Sequence, residues 1–147
     1  MSIPAEGDIV DVLLYQHQEL RRTMTEVEAA TGLARAEAFG RLIALLETHE
    51  RGEQQVVHPT TRESPGGVEI AEERAVEERE IDRELGELNT LGADDPDFPV
   101  RFAVFRESVI DHTRREEDEE FPMLRATLPT EQLLGMADEL RQIQARI

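Results

Sequence analysis

At 147 residues, with 39% hydrophobic and 33% charged side chains, the chain has room for one packed domain and not comfortably for two. Its net charge of −17 argues against binding nucleic acid or anionic lipid, both of which call for clustered Lys and Arg. Without cysteine it has neither disulfide nor thiolate chemistry, and 4% aromatic residues with no Trp suit helices better than strands.

Apolar residues at steps of three and four predict a first helix over about 8–30, through Val10, Leu13, Leu14, His17, Leu20, Met24 and Val27, closed by Thr31 and Gly32. A second, about 34–57, turns Phe39, Leu42, Ile43, Leu46, His49, Glu53 and Val57 inward, and Pro59 with Ser64 to Gly67 marks a loop. The third covers about 68–91 with Ile81, Leu85 and Leu88 on its apolar stripe, and Gly92 to Pro96 break the chain. The fourth starts between Pro96 and Pro99 and carries Phe102, Phe105, Val109, His112 and Glu116 to a kink at Phe121 and Pro122. Pro129 and Thr130 open a short fifth helix to about 146, with Leu133, Leu134, Met136, Ala137, Leu140 and Ile143.

No strand pattern competes. Short connections favour antiparallel neighbours, so the expected fold is all-α: an up-down-up-down four-helix bundle at about 8–126 with a short additional C-terminal helix, one domain over 1–147. The longest apolar run, Leu42 to Leu46, is far short of a membrane span. The start of the chain, with Pro4, Glu6 and Asp8, lacks the basic and apolar regions of a signal peptide, so cytoplasm is the expected location.

One spelling occurs twice: His49-x-x-x-Glu53 and His112-x-x-x-Glu116, followed by the similar tails Val57-His58-Pro59 and Glu120-Phe121-Pro122. Four residues turn a helix by about 400°, which stacks imidazole and carboxylate on one face. His17 keeps step with Leu14, Leu20 and Met24, so three of the four histidines fall on core-facing positions. A lone buried histidine is usually a satisfied core residue. Three of them, two paired with an inward Glu, point to metal, because unpartnered buried carboxylates cost several kcal/mol in a marginally stable domain. Imidazole and carboxylate without sulfur suit iron, manganese or zinc, and carboxylates able to bridge between helices favour two iron or manganese ions.

The stretch Asp11 to His17, then His49 to Glu53, then His112 to Glu116 with Phe121 and Pro122, resembles the hemerythrin-like family of HHE cation-binding domains. The resemblance covers about residues 8–125. It implies a four-helix bundle around a non-heme di-iron centre with an oxo or hydroxo bridge. Residue by residue it implies His17 and His49 on one iron, Glu53 and Glu116 bridging, and His112 on the other. The family usually adds one or two histidines from its third helix; here Glu77-Glu78-Arg79-Glu80-Ile81 fills that place. Glu78 takes the histidine position and is the expected terminal ligand, with Glu77 or water as alternatives. Arg74, one turn earlier, has no lone pair to give.

The remaining candidates are weaker. On an ideal helix His58 lies about 180° from His49 and faces away, a capping or surface residue unless the helix distorts before Pro59. Tyr15 is about 200° from His17 and fits a supporting contact better than coordination. Gly52 either allows close helix approach or is simply tolerated. Beyond Glu116, the acids Glu117 to Glu120 are expected to be mostly solvated.

Anionic oxygen donors favour ferric iron, so a site poor in histidine points away from reversible oxygen carriage. The expected function is reaction with peroxide or oxygen, catalase-like detoxification of hydrogen peroxide included. The alternative is a non-enzymatic sensor or binder of oxygen, nitric oxide or iron. A purely structural bundle is the third reading.

Overall fold

A computed structural model describes residues 6–145. Pro4 and residue 146, on which two of the expectations fall, lie outside them. The described residues contain no strand and form five helical rods. α1 (Ile9–Ala29) is followed by α2 (Gly32–Gly52), which runs through a π-helical turn (Glu53–Val57) into α3 (His58–Glu63). α4 (Gly67–Leu91) is unbroken, whereas α5 (Phe98–Arg115) passes through a second π turn (Glu116–Glu120) into α6 (Phe121–Thr127). α7 (Thr130–Ala145) is the appended helix. The up-down-up-down bundle with an extra C-terminal helix is therefore present as expected, and α7 packs on α1 and α2.

Local chemistry sets the ends. Asp8 and Asp11 form a reciprocal capping box at the start of α1, and Arg125 of α6 clamps both carboxylates. Gly66 takes a left-handed φ of 74°, and a Cβ on Gly67 would stand 1.7 Å from the Thr61 carbonyl oxygen, so this corner closes only with glycine.

Two boundaries differ from the sequence reading. The second rod was expected to stop near Val57 and the fourth to kink at Phe121, yet the chain stays helical to Glu63 and Thr127. In each case the turn before the proline is widened: His58 donates its backbone N–H to Glu53, and Phe121 to Glu116, five residues back. Pro59 and Pro122 then occupy the opening turn of the next helical segment, where a missing N–H is tolerated.

The core has two apolar parts. One gathers Leu20, Met24, Phe39, Leu42, Ile81, Leu85 and the phenylalanines of α5; the other gathers Val12, Leu13, Val57, Phe121, Leu124 and the inner face of α7. A layer of buried polar residues lies between them, with Leu13 before and Leu20 after His17, and Leu46 before and Val56 after the pair His49 and Glu53. Phe102 is 1% exposed and meets Phe39, Phe98 and Phe105 at centroid distances of 6.3, 5.5 and 5.7 Å. Phe102→Ala is expected to lower unfolding free energy by about 3–5 kcal/mol in urea titrations. A change below about 1 kcal/mol would mean that this cluster closes over the gap.

Candidate metal centre

Three imidazoles enter the polar layer with one ring nitrogen already engaged. His17 Nδ1 lies 2.7 Å from Glu117 Oε2, His49 Nδ1 2.8 Å from Gln16 Oε1, and His112 Nδ1 2.8 Å from Glu77 Oε1. Each partner is an oxygen that accepts, so Nδ1 carries a proton, and in the neutral ring the lone pair is then on Nε2. All three Nε2 atoms are buried without a hydrogen-bond partner, as are both carboxylate oxygens of Glu53 and of Glu116. They face one another: His49 Nε2 to Glu53 at 3.0 Å, His17 Nε2 to Glu116 at 3.2 Å, and His112 Nε2 to Glu116 at 3.5 Å.

The protonation states follow from the surroundings. Burial strips His17 of solvent and pulls its pKa down to about 4 against the pull of Glu117, so it is neutral at pH 7. Burial raises Glu116, and the charge of Glu53 raises it further, well above the usual carboxylate range. Burial also acts upward on Glu53, but His49, Glu116 and His58 outweigh it and hold it well below that range. His49 Nε2 thus stands 3.0 Å from a buried carboxylate that is held ionised. A cation between them satisfies both.

His58 overturns the sequence expectation. It is 9% exposed, with Nε2 at 2.5 Å from Glu78 and Nδ1 at 3.0 Å from Glu120. The physical reason is the π turn. A five-residue step that would throw His58 off the face of Glu53 on an ideal helix brings it back in register when the turn widens. The second copy behaves alike, and Phe121, the counterpart of His58, is 2% exposed and stacks on His17 at 5.5 Å. Burial opposes the charge on His58, but the hydrogen bonds it donates to Glu120 and Glu78 win and push it up to about 11.

The acidic run is also corrected. Asp118 and Glu119 are exposed as expected, but Glu120 is fully buried against His58 and Thr61, and Glu117 is half-buried between His17 and Arg21. The signal that could have found them is the doubled tail: an aromatic or imidazole followed by Pro, five residues after each motif Glu.

The third rod supplies what its sequence allows. Glu78 is 2% exposed, meets His58 and receives a hydrogen bond from Gln54 at 2.9 Å. Glu77 turns to the outer nitrogen of His112 and to Arg74 and Arg115. Arg74 itself is fully buried among acids.

Among the described residues, the atoms that converge closely enough to hold an ion form three groups. They are His17, His49, Glu53 and Glu116; Glu53, His58 and Glu78; and His58, Glu116 and Glu120. Glu53 and Glu116 are shared, which joins a His17–His49 end to a His58–Glu78 end. At pH 7 His58 carries a proton that a metal must displace. Metal added to the metal-free chain in weak buffer is therefore expected to release protons, and His58→Ala about one fewer, with affinity rising as pH rises. Proton release unchanged in His58→Ala would contradict this account of His58.

The profile of the hemerythrin HHE cation-binding domain matches residues 8–124. A DNA nickase of Nostoc sp. is 27% identical over 141 residues, which is 95% of this chain and 40% of that relative, so the chain spans less than half of its length. The crystal structure of a hemerythrin HHE cation-binding domain-containing protein from Mycobacterium kansasii aligns with a TM-score of 0.87 at 16% identity, over 96% of this chain and 87% of that one. At that identity the likeness concerns the fold.

Proposed function

The chain belongs to the hemerythrin HHE cation-binding domain family, and from that premise we propose that it holds two iron ions and reacts with hydrogen peroxide or oxygen. Disproportionation of two hydrogen peroxide molecules to oxygen and two waters is the reaction we assign. The observation that carries this reading is the ring of buried Nε2 and carboxylate oxygen atoms that no protein group satisfies. In this assignment His17 and His49 hold one ion, and Glu53 and Glu116 bridge to the second. His112, Glu78 and His58 hold that second ion, with Glu120 beside them.

The donor set fits iron: four histidines and four carboxylates without a thiolate, rich enough in anionic oxygen to stabilise the ferric state with a solvent-derived oxo or hydroxo bridge. When bound, the pair supplies a two-electron couple and Lewis acidity. The remaining work falls to the chain. Glu117, Gln16 and Glu77 orient the three imidazoles through Nδ1. Phe121 stacks on His17, which is 0% exposed, and keeps water from that end.

The other end is reached by a cavity of about 380 Å³ lined by Gln54, His58, Arg62, Glu78, Arg79 and Asp82. Arg62 is half exposed, so this cavity leads outward from His58 and Glu78. Glu50, on the wall of a neighbouring cavity of about 370 Å³ with Gln54 and Asp82, is held protonated with its pKa pushed up to about 10 by burial and by its hydrogen bond with Asp82.

Iron-loaded protein is expected to contain about two irons per chain, to show near-ultraviolet charge-transfer absorption, and to evolve oxygen steadily from peroxide. Glu53→Ala, folded by circular dichroism, is expected to lose both the absorption and the turnover. Reversible oxygen or nitric oxide binding by the reduced protein without peroxide turnover would favour the sensor reading. A chain that folds normally yet takes up no iron would remove both.

A further inference from the structure

The appended helix reaches the polar layer at one point. Gln144, 8% exposed near the end of α7, exchanges hydrogen bonds with Gln16, which is fully buried beside His49. Gly52 makes the approach possible: a Cβ there would stand 2.3 Å from Leu140 Cδ1 and 2.9 Å from Gln144 Nε2.

The chain of hydrogen bonds has a direction. The Thr48 backbone carbonyl can only accept, and it takes a hydrogen bond from Gln144 Nε2 at 3.5 Å. Gln144 Oε1 is left to accept from Gln16 Nε2 at 2.7 Å. That turns Gln16 Oε1 towards His49 Nδ1, 2.8 Å away, as an acceptor. The proton of His49 is thereby kept on Nδ1 and the lone pair on Nε2. Gln16 with its amide reversed would present N–H groups to Nδ1. The proton would then move to Nε2, the atom aimed at Glu53, and block coordination.

We propose that Gln144 is a positioning residue for the metal centre: from the appended helix it fixes the amide of Gln16 and so the tautomer of His49. The consequence for iron rests on the assignment of His49 as a ligand, whereas the consequence for the tautomer does not. α7 is thus more than cover for one apolar cluster; docking it makes one end of the site competent to bind.

The test follows the ring nitrogens of His49 by ¹⁵N chemical shift in the full-length metal-free chain above neutral pH, together with iron affinity against a competing chelator. The native chain is expected to show the Nδ1–H tautomer. Gln144→Leu is expected to populate Nε2–H and to bind iron about 10- to 100-fold more weakly. Gln16→Glu added to Gln144→Leu is expected to restore Nδ1–H, because a carboxylate accepts with either oxygen and has no reversed state. An unchanged tautomer in Gln144→Leu overturns the proposal. So does failure of Gln16→Glu to restore it, which would mean that the substitution acted by undocking α7. A shifted tautomer with unchanged iron affinity supports the positioning role and counts instead against His49 as a ligand.

Discussion

Seven buried atoms set the terms for this protein: the Nε2 atoms of His17, His49 and His112 and the four carboxylate oxygens of Glu53 and Glu116. They lie in a layer between two apolar clusters, where no protein group gives them a hydrogen bond. Leaving buried donors and acceptors unmet costs about 1–3 kcal/mol each, and more for charged groups. A domain of this size has little stability to spend on such an arrangement without a return. The surrounding polar groups act on these atoms from outside. Glu117 with Arg21, Glu77 with Arg74 and Arg115, and Gln16 with Gln144 all engage the far side of an imidazole and leave the near side open.

The π turns make that layer dense. An α-helix crossing it once presents two residues one turn apart, as His49 and Glu53 do. Widening the next turn brings a further inward position, five residues on, into the same layer. The second rod uses it for His58, which meets Glu78 and Glu120; the fourth uses it for Phe121, which seals His17. One repeated backbone device therefore yields opposite chemistry at the two ends, a polar entrance and an apolar lid. The helical remainder of each rod continues past its proline because the distortion has already been made.

Much of this was legible in the sequence. Periodicity located all five rods, and the three in-register histidines with Glu53, Glu116 and Glu78 do stand within one polar layer. What escaped is whatever depends on departing from 3.6 residues per turn. His58 reads as outward, and Glu117 and Glu120 read as solvent acids, only while the helix is ideal. Gln16 and Gln144 escaped for another reason: an amide pair 128 residues apart leaves no periodic trace. The correction changes the chemistry. The shortage of nitrogen inferred from the third rod is partly filled by His58, so four imidazoles border the layer. The surplus of carboxylate remains.

The central claim is that Glu53 and Glu116 join two metal positions, one served by His17 and His49 and the other by His58 and Glu78. Anomalous diffraction at the iron edge from crystals of the iron-loaded chain tests it most directly. The account predicts two peaks about 3.5 Å apart, the second within bonding distance of His58 Nε2. A single peak between His17 and His49, with His58 still paired to Glu78 and Glu120, would contradict it.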